Sequence, residues 1–449
     1  VVQLDEGGVG EALAKKPRKG GAEVLALPVG IATDELLAQL DSFCANGSVT
    51  GVYWLAGLDD EGSLDALDLP AWREALRRRV KNLYTTIRRL YDQVPFLVTG
   101  SRLGGYHGYD EAGATAPLGG AVNGFAKAYQ REVAQAVVKA VDLPPSRRTA
   151  AVADMLIEET LRDGGCVEVG RPADGTRIGI ALQEVPFTPL GADGDPTGEG
   201  GTPLGPDSVV VVTGAAGSIV AAITADLAAA SGATFHLLDL TPTPDANDPD
   251  LAAFAADKDG LKSVLAQRIK AAGGRPTPVV IEKELAGIER RSMALAAVQA
   301  VEAGGGTAHY HCVNLLDGDA VATVMRGIKD AHGAVDLLLH AGGLEISRSM
   351  PDKQPSEFDL VFDVKADGWH SLVHATPDLP IRASVVFSSV AGRFGNSGQP
   401  DYAAANNLLC AISSSMRRTR PDMRAIALDW TAWGGIGMAT RGSIPKIME

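Results

Sequence analysis

The second half of the chain alternates short apolar runs with longer stretches of helical periodicity. The runs are "SVVVVTG" from Ser208, "ATFHLLDL" from Ala233, "GTAHYHCVNL" from Gly306, "VDLLLHAGG" from Val335, "ASVVFSSV" from Ala383 and "MRAIALDW" from Met423. Runs with little polar alternation, separated by helices, predict parallel strands covered on both faces. That is the doubly wound α/β class. Near the middle, "TPLGADGDPTGEGGTPLGP" (188–206) is rich in Gly, Pro and Asp and holds almost nothing to bury, which predicts a linker.

The first half repeats parts of this pattern. "GSVTGVYWLAGL" from Gly47 lies against "GAVDLLLHAGGL" from Gly333, Lys81 against Lys365 and Asn123 against Asn406, with Gly119 opposite Tyr402. It has no glycine-rich turn like the one at Gly214. The expected organisation is two Rossmann-like doubly wound subdomains, a catalytically silent one over 1–187 and a second over 208–449, joined by a linker over 188–207. An insert over about 241–306 contains "DKDGLKSVLAQRIKAAG" and "IERRSMALAAVQAVEAGG", two predicted amphipathic helices.

Composition narrows the function classes. The 449 residues are 45% hydrophobic and 21% charged, with a net charge of -14, a soluble globular balance that disfavours nucleic acid or an anionic membrane as partner. Cys44, Cys166, Cys312 and Cys410 are far apart, so neither a disulfide framework nor a zinc site is expected, and a reducing, cytoplasmic setting fits. No metal site is expected from His309, His311 and His340, which read as strand residues. The absence of an initiating methionine suggests a piece of a longer polypeptide. One stretch, "AWREALRRRVKNLYTTIRRLYDQ" (71–93), carries seven Lys or Arg against two acids. It reads as a solvated helix face, as a surface that steers an acidic partner, or as a contact with neighbouring domains.

Two stretches carry candidate chemistry. In "VVVVTGAAGSIV" a strand leads through Thr213, Gly214 and Gly217 into a helix that opens at Ser218 and Ile219. Such a turn aims backbone N–H groups at a pyrophosphate. Val220 stands where the usual pattern has its third glycine. Asp239 closes the next strand, as a carboxylate that accepts from a ribose 2'-hydroxyl and favours NADH, or as an ordinary strand-end Asp. Asn314, followed by Leu315, is placed to meet an adenine edge. His340, Ala341 and Gly342 in "HAGGL" let a nicotinamide ribose approach the chain. In "FSSVAGRFGNSGQPDYAAAN", Ser389 and Tyr402 are thirteen residues apart. A tyrosine that protonates an alkoxide near neutrality needs a nearby ammonium. The position four residues on is Asn406, not lysine, and the candidate ammonium is Lys365 in "FDVKADGWHSL".

This permuted set, with "TGAAGSI", "HAGGL", "VKADG", "FSSVAG", "GQPDYAAAN" and "WTAWGGIGMA", resembles the ketoreductase domains of polyketide and fatty acid synthases, within the short-chain dehydrogenase/reductase superfamily. The long insert resembles that of polyunsaturated fatty acid synthases. The resemblance implies reduction of a β-ketoacyl thioester carried by an acyl carrier protein, with NADPH as the usual donor and NADH as the alternative that Asp239 raises. It implies neighbouring synthase domains as further partners. It assigns Tyr402 as general acid, Ser389 to the carbonyl oxygen, Lys365 to the tyrosine and the nicotinamide ribose, and Asn406 to a proton relay. The "LDD" signature is absent from "GGLEISRSM" and Phe394 replaces a marker tryptophan, so no product configuration is implied. A free-standing dehydrogenase for a small ketone or alcohol and a non-catalytic synthase domain are the alternative readings.

Overall fold

The computed structural model describes residues 1–162, 165–184 and 204–434, so most of the expected linker and the stretch after residue 434 lie outside the described residues. The chain forms two compact units. One gathers Val1–Pro186, Leu344–His370 and Ser384–Thr431; the other gathers Phe187–Gly343, Ser371–Ala383 and Ala432–Glu449. The candidate proton-transfer residues therefore fall in the same unit as the first half of the chain.

The first unit is built on a seven-stranded sheet of β1 (Val2–Gln3), β2 (Ala26–Leu27), β3 (Gly51–Trp54), β4 (Phe96–Ser101), β5 (Val138–Asp142), β6 (Glu168–Gly170) and β7 (Ile178–Gly179). Its order is β2-β1-β3-β4-β5-β6-β7, parallel except for β7. One face is closed by Val9, Leu13, Val98, Val141, Val152 and Leu156, an apolar layer that leaves the strands nearly dry.

The helix Gly119–Glu132 packs against the helix Pro400–Thr419, which carries Tyr402 and Asn406. Gly120 and Gly124, one turn apart, form the contact. A Cβ at Gly120 would stand 2.6 Å from Ala411 Cβ, and one at Gly124 would stand 2.3 Å from the Ala403 carbonyl oxygen. Only residues without a side chain allow the two backbones this close. The contact is also pinned by polar groups. Lys127 Nζ donates to Asn407 Oδ1 (3.0 Å), and Asn407 Nδ2 donates to the Gly120 carbonyl (2.7 Å).

The basic stretch 71–93 is one helical run in which Leu69–Leu76 and Asn82–Leu90 are joined by a π turn at Arg77–Lys81. All seven of its cations have partners within this unit, with Arg73 and Arg89 still exposed on its solvated face. Arg73 pairs with Asp367 at 2.7 Å, and Lys81 pairs with Asp363 and Asp359 at 2.8 and 3.0 Å. Arg77 and Arg78 pair with Glu74 and Glu6, and Arg89 pairs with Asp41. Arg79 and Arg88 donate to the carbonyls of Asp59 and Lys353. The three aspartates at 359, 363 and 367 recur every four residues, along one face of the helix Pro355–His374 that bears Lys365. Trp72 adds an indole N–H to Asp367 at 3.1 Å.

The second unit contains the parallel strands β8 (Val209–Thr213), β9 (Thr234–Asp239), β10 (Thr307–Cys312) and β11 (Val335–His340), in the order β10-β9-β8-β11. These, with β12 (Ile381–Ser389) and β13 (Arg424–Trp430), are the six apolar runs of the sequence. The parallel-sheet, Rossmann-like α/β expectation is borne out. The insert holds three helices rather than two, Pro249–Ala256, Lys258–Ala271 and Pro278–Ala303, around Leu251, Leu261, Leu265, Leu285 and Ile288. The last helix starts earlier than expected because Thr277 caps it and Pro278 takes its first position.

On β9 the buried His236 contacts three other imidazoles. Its Nδ1 lies 3.0 Å from His311 Nε2 and its Nε2 lies 3.0 Å from His332 Nε2, while His309 stacks on the ring. A neutral ring has one N–H, so each contact needs one donor and one acceptor. Burial and the three neighbouring imidazoles hold the His236 pKa down to about 3.

Both features can be tested on the whole chain. Gly124→Ala forces the Ala403 backbone to move, and we expect about 1–3 kcal/mol of destabilisation in denaturant unfolding, as for other overpacked sites. For His236 the unfolded chain binds a proton at an ordinary histidine value, so stability is fully present above that value and is lost as pH falls toward 3. The midpoint of thermal unfolding should fall between pH 7 and 5 in the wild type, and His236→Gln should flatten that slope.

Candidate active site

Tyr402 sits in the first turn of the Pro400–Thr419 helix, where Pro400 occupies an opening position that needs no N–H. Asn406 lies one turn further on. Its Nδ2 donates to the Tyr402 carbonyl at 2.8 Å, while its Oδ1 is buried without a hydrogen-bond partner. Ser389 ends β12 and caps the short helix Val390–Phe394, its Oγ accepting from Ala391 N–H at 3.1 Å. Lys365 is buried on the Pro355–His374 helix. Its Nζ donates to the Phe387 carbonyl of β12 at 2.7 Å and lies 5.8 Å from the centre of the Tyr402 ring. The four residues singled out in the sequence are thus brought together in one unit, with lysine and asparagine on two different helices.

Their electrostatics differ from the simple expectation. The Tyr402 phenol stands above its ordinary pKa, because burial outweighs the opposing hydrogen-bonding influence of Asn406 and Ser389, and Glu345 adds to the rise. The lowering expected from Lys365 does not win in this state. Burial in turn pulls the Lys365 ammonium down to about 8. At neutral pH both groups keep their protons. A phenol that keeps its proton is a competent acid but a poor base.

The second unit holds the turn after β8. Gly214 adopts φ +72°, and a Cβ there would meet the Ala341 and Gly342 backbone at 3.0–3.1 Å. Thr213 Oγ1 accepts from the N–H groups of Ala341 and Gly342 and contacts His340 Nδ1 at 2.9 Å, tying β8 to the end of β11. A Cβ at Gly342 would lie 2.6 Å from Leu315 Cδ1, so a side chain there would require Leu315 to move. Gly217 precedes the helix Ser218–Ser231 without capping it through a side chain. Asp239 is 8% exposed and already engaged, Oδ2 accepting from Ala216 N–H and Oδ1 from Thr241 N–H. It fastens the glycine turn to β9. Asn314 is exposed and accepts from Leu316 N–H, and Val220 is buried. An uncapped helix start behind a positive-φ glycine fits a dinucleotide pyrophosphate.

A family model described as the KR domain matches residues 208–435. The chain belongs to the KR domain family. It is similar to a polyunsaturated fatty acid synthase polypeptide of Thraustochytrium sp. (30% identical over 247 residues, 52% of this chain and 8% of that protein). It is also similar to mycoketide-CoA synthase of Mycobacterium tuberculosis (34% over 146 residues, 32% of this chain and 3% of that protein). The chain thus spans under a tenth of the length of these relatives. Among solved structures, A-type ketoreductases from a modular polyketide synthase superpose with TM-score 0.68 at 21% identity, over 100% of this chain and 81% of theirs. A ketoreductase domain from the bacillaene assembly line gives 0.64 at 16%, over 97% and 81%. At these identities the structures speak for the fold alone. The KR family reading from the motifs is borne out, and with it assignment to the oxidoreductases.

Among the described residues no group of three or more His, Cys, Asp or Glu is arranged to hold a metal ion. Nor is any described helix long and apolar enough to cross a membrane. Several residues around these four candidates were not legible in the sequence. Gln399 Nε2 donates to Glu345 Oε1 (3.1 Å) and Ser347 Oγ (3.0 Å), and Lys353 and Asp401 form a buried ion pair at 2.6 Å. Only Asp401 carried a signal, as a carboxylate next to the tyrosine.

Proposed function

We propose that this KR domain reduces a β-ketoacyl thioester to the β-hydroxyacyl thioester, the acyl group being presented on the phosphopantetheine arm of an acyl carrier protein within a synthase. In covalent order the chain is proposed to be two fold copies, 1–187 and 208–449, of which the second supplies the chemistry. The observation that carries the reading is the Tyr402 ring 5.8 Å from the buried Lys365 ammonium, with the strand-end Ser389 and Asn406 in the same unit.

The turn at Thr213, Gly214 and Gly217 would hold the pyrophosphate of a nicotinamide dinucleotide, which supplies a hydride to the β-carbon of the substrate. Electrons of the C=O bond then move to oxygen, and Tyr402 gives its phenolic proton to that oxygen. Ser389 Oγ is the proposed hydrogen-bond donor that fixes the carbonyl for this transfer. Lys365, about nine-tenths protonated at pH 7 if its pKa is about 8, favours the phenolate left behind. Asn406, with its unpartnered buried Oδ1, supports return of a proton to Tyr402.

NADPH is the proposed donor. Asp239 keeps its charge, but both its oxygens are engaged by backbone N–H groups, which leaves them less free to accept from a ribose 2'-hydroxyl. Nicotinamide absorbance should fall when the protein is mixed with a short β-ketoacyl thioester and NADPH. Tyr402→Phe should lower kcat at least about 100-fold, the usual scale for a lost general acid, with nucleotide binding unchanged. Retained turnover in that variant would refute the assignment. A higher kcat/KM with NADH than with NADPH would return Asp239 to a ribose-binding role.

A further inference from the structure

A continuous series of buried polar contacts leads from the silent half of the chain to Tyr402. Tyr84, in the basic helical run, donates its hydroxyl to the Lys353 carbonyl at 2.6 Å, and Arg88 Nε donates to the same oxygen at 3.0 Å. The Lys353 side chain has no solvent exposure. Its Nζ donates to Asp401 Oδ2 at 2.6 Å and to the Ile346 carbonyl at 2.5 Å. Asp401 is equally buried, and its Oδ1 accepts the backbone N–H of Tyr402 at 2.8 Å.

Such a pair is a poor device for stability, since desolvating two charges costs about as much as their attraction returns. What it provides is geometry. Pro400 brings no N–H to the start of this helix, so the Asp401 carboxylate closes the turn on Tyr402, and Lys353 fixes that carboxylate. The phenol itself is hydrogen-bonded with Asn406 and Ser389, and Lys365 Nζ lies 5.8 Å from the ring centre.

We propose that Lys353 and Asp401 are positioning residues for Tyr402, and that Tyr84 and Arg88 hold them in place from the first half, so that the copy without chemistry sets the orientation of the tyrosine. This rests on the reading of Tyr402 as the general acid. It assigns the first half a task in the proton transfer beyond filling space.

The test uses the full chain with Lys353→Met, Asp401→Asn, their double variant and the conservative Tyr84→Phe. Two readouts are taken: steady-state kinetics with a short β-ketoacyl thioester, and amide hydrogen exchange along residues 400–419. Each single charge-removing variant should lower kcat about 10- to 100-fold, the scale of an ångström-level misplacement, with KM and nucleotide affinity within about twofold. The double variant should be no worse than the poorer single one, as for residues acting through one contact. Tyr84→Phe should lower kcat a few-fold, also without a KM change. In Lys353→Met the Tyr402 amide should exchange faster while the later turns of the helix stay protected.

Wild-type turnover with kcat unchanged in all four variants would overturn the inference and leave the ketoreductase reading standing. So would a parallel loss of kcat, nucleotide affinity and protection along the whole helix, which would mark a merely structural pair. If the wild type does not reduce the thioester, the functional reading fails separately. The exchange data then decide alone, and an unchanged Tyr402 amide in Lys353→Met would overturn the proposed link.

Discussion

The first unit depends on the close approach of two helices at Gly120 and Gly124. The absence of side chains there lets Ala403, Asn407 and Ala411 press against the backbone of the partner helix. Tyr402 and Asn406 are carried on the helix so held, and their neighbours inherit its position. The proposed internal repeat puts Gly119 opposite Tyr402. In the structure a Cβ at Gly119 would lie 3.0 Å from Ser101 Cβ, so packing against β4 shapes the glycine-rich start of that helix.

Burial sets the electrostatics of the same region. It raises the Tyr402 phenol and lowers the Lys365 ammonium, and it leaves both groups protonated at neutral pH. The apparent basicity of stretch 71–93 is likewise consumed inside the unit. Arg73 and Lys81 meet the aspartates along one face of the helix that carries Lys365, so the charge reads as glue between elements rather than as a surface. A net charge of -14 and one basic helix looked like a contrast in the sequence. Folding resolves it by pairing.

The strands of the second half were legible because a buried parallel strand favours an unbroken apolar run, and β8, β11 and β12 each contain one. The candidate set was legible because strand ends and helix faces hold Ser389, Tyr402 and Asn406 at fixed intervals, and because a tyrosine proposed as an acid calls for a cation. The rest depends on long-range contacts that leave no local pattern. Nothing in "PDKQPS" announces that Lys353 will meet Asp401 forty-eight residues later. His309 and His311 read as ordinary strand residues, and only the pairing of β9 with β10 places His236 between them and His332. The expected pKa shift of Tyr402 had the wrong sign because burial, invisible in one dimension, outweighs the hydrogen bonds that oppose it.

Delivery of a hydride and a proton onto a β-keto carbonyl is the step on which the proposed function rests. It can be followed by supplying NADPH deuterated at the transferring position of the nicotinamide C4, together with a β-ketoacyl thioester, and analysing the product by mass spectrometry. One deuterium on the β-carbon and an exchangeable hydrogen on the new hydroxyl are the expected outcome. A product without deuterium, or an unreacted thioester with both substrates bound, would contradict it.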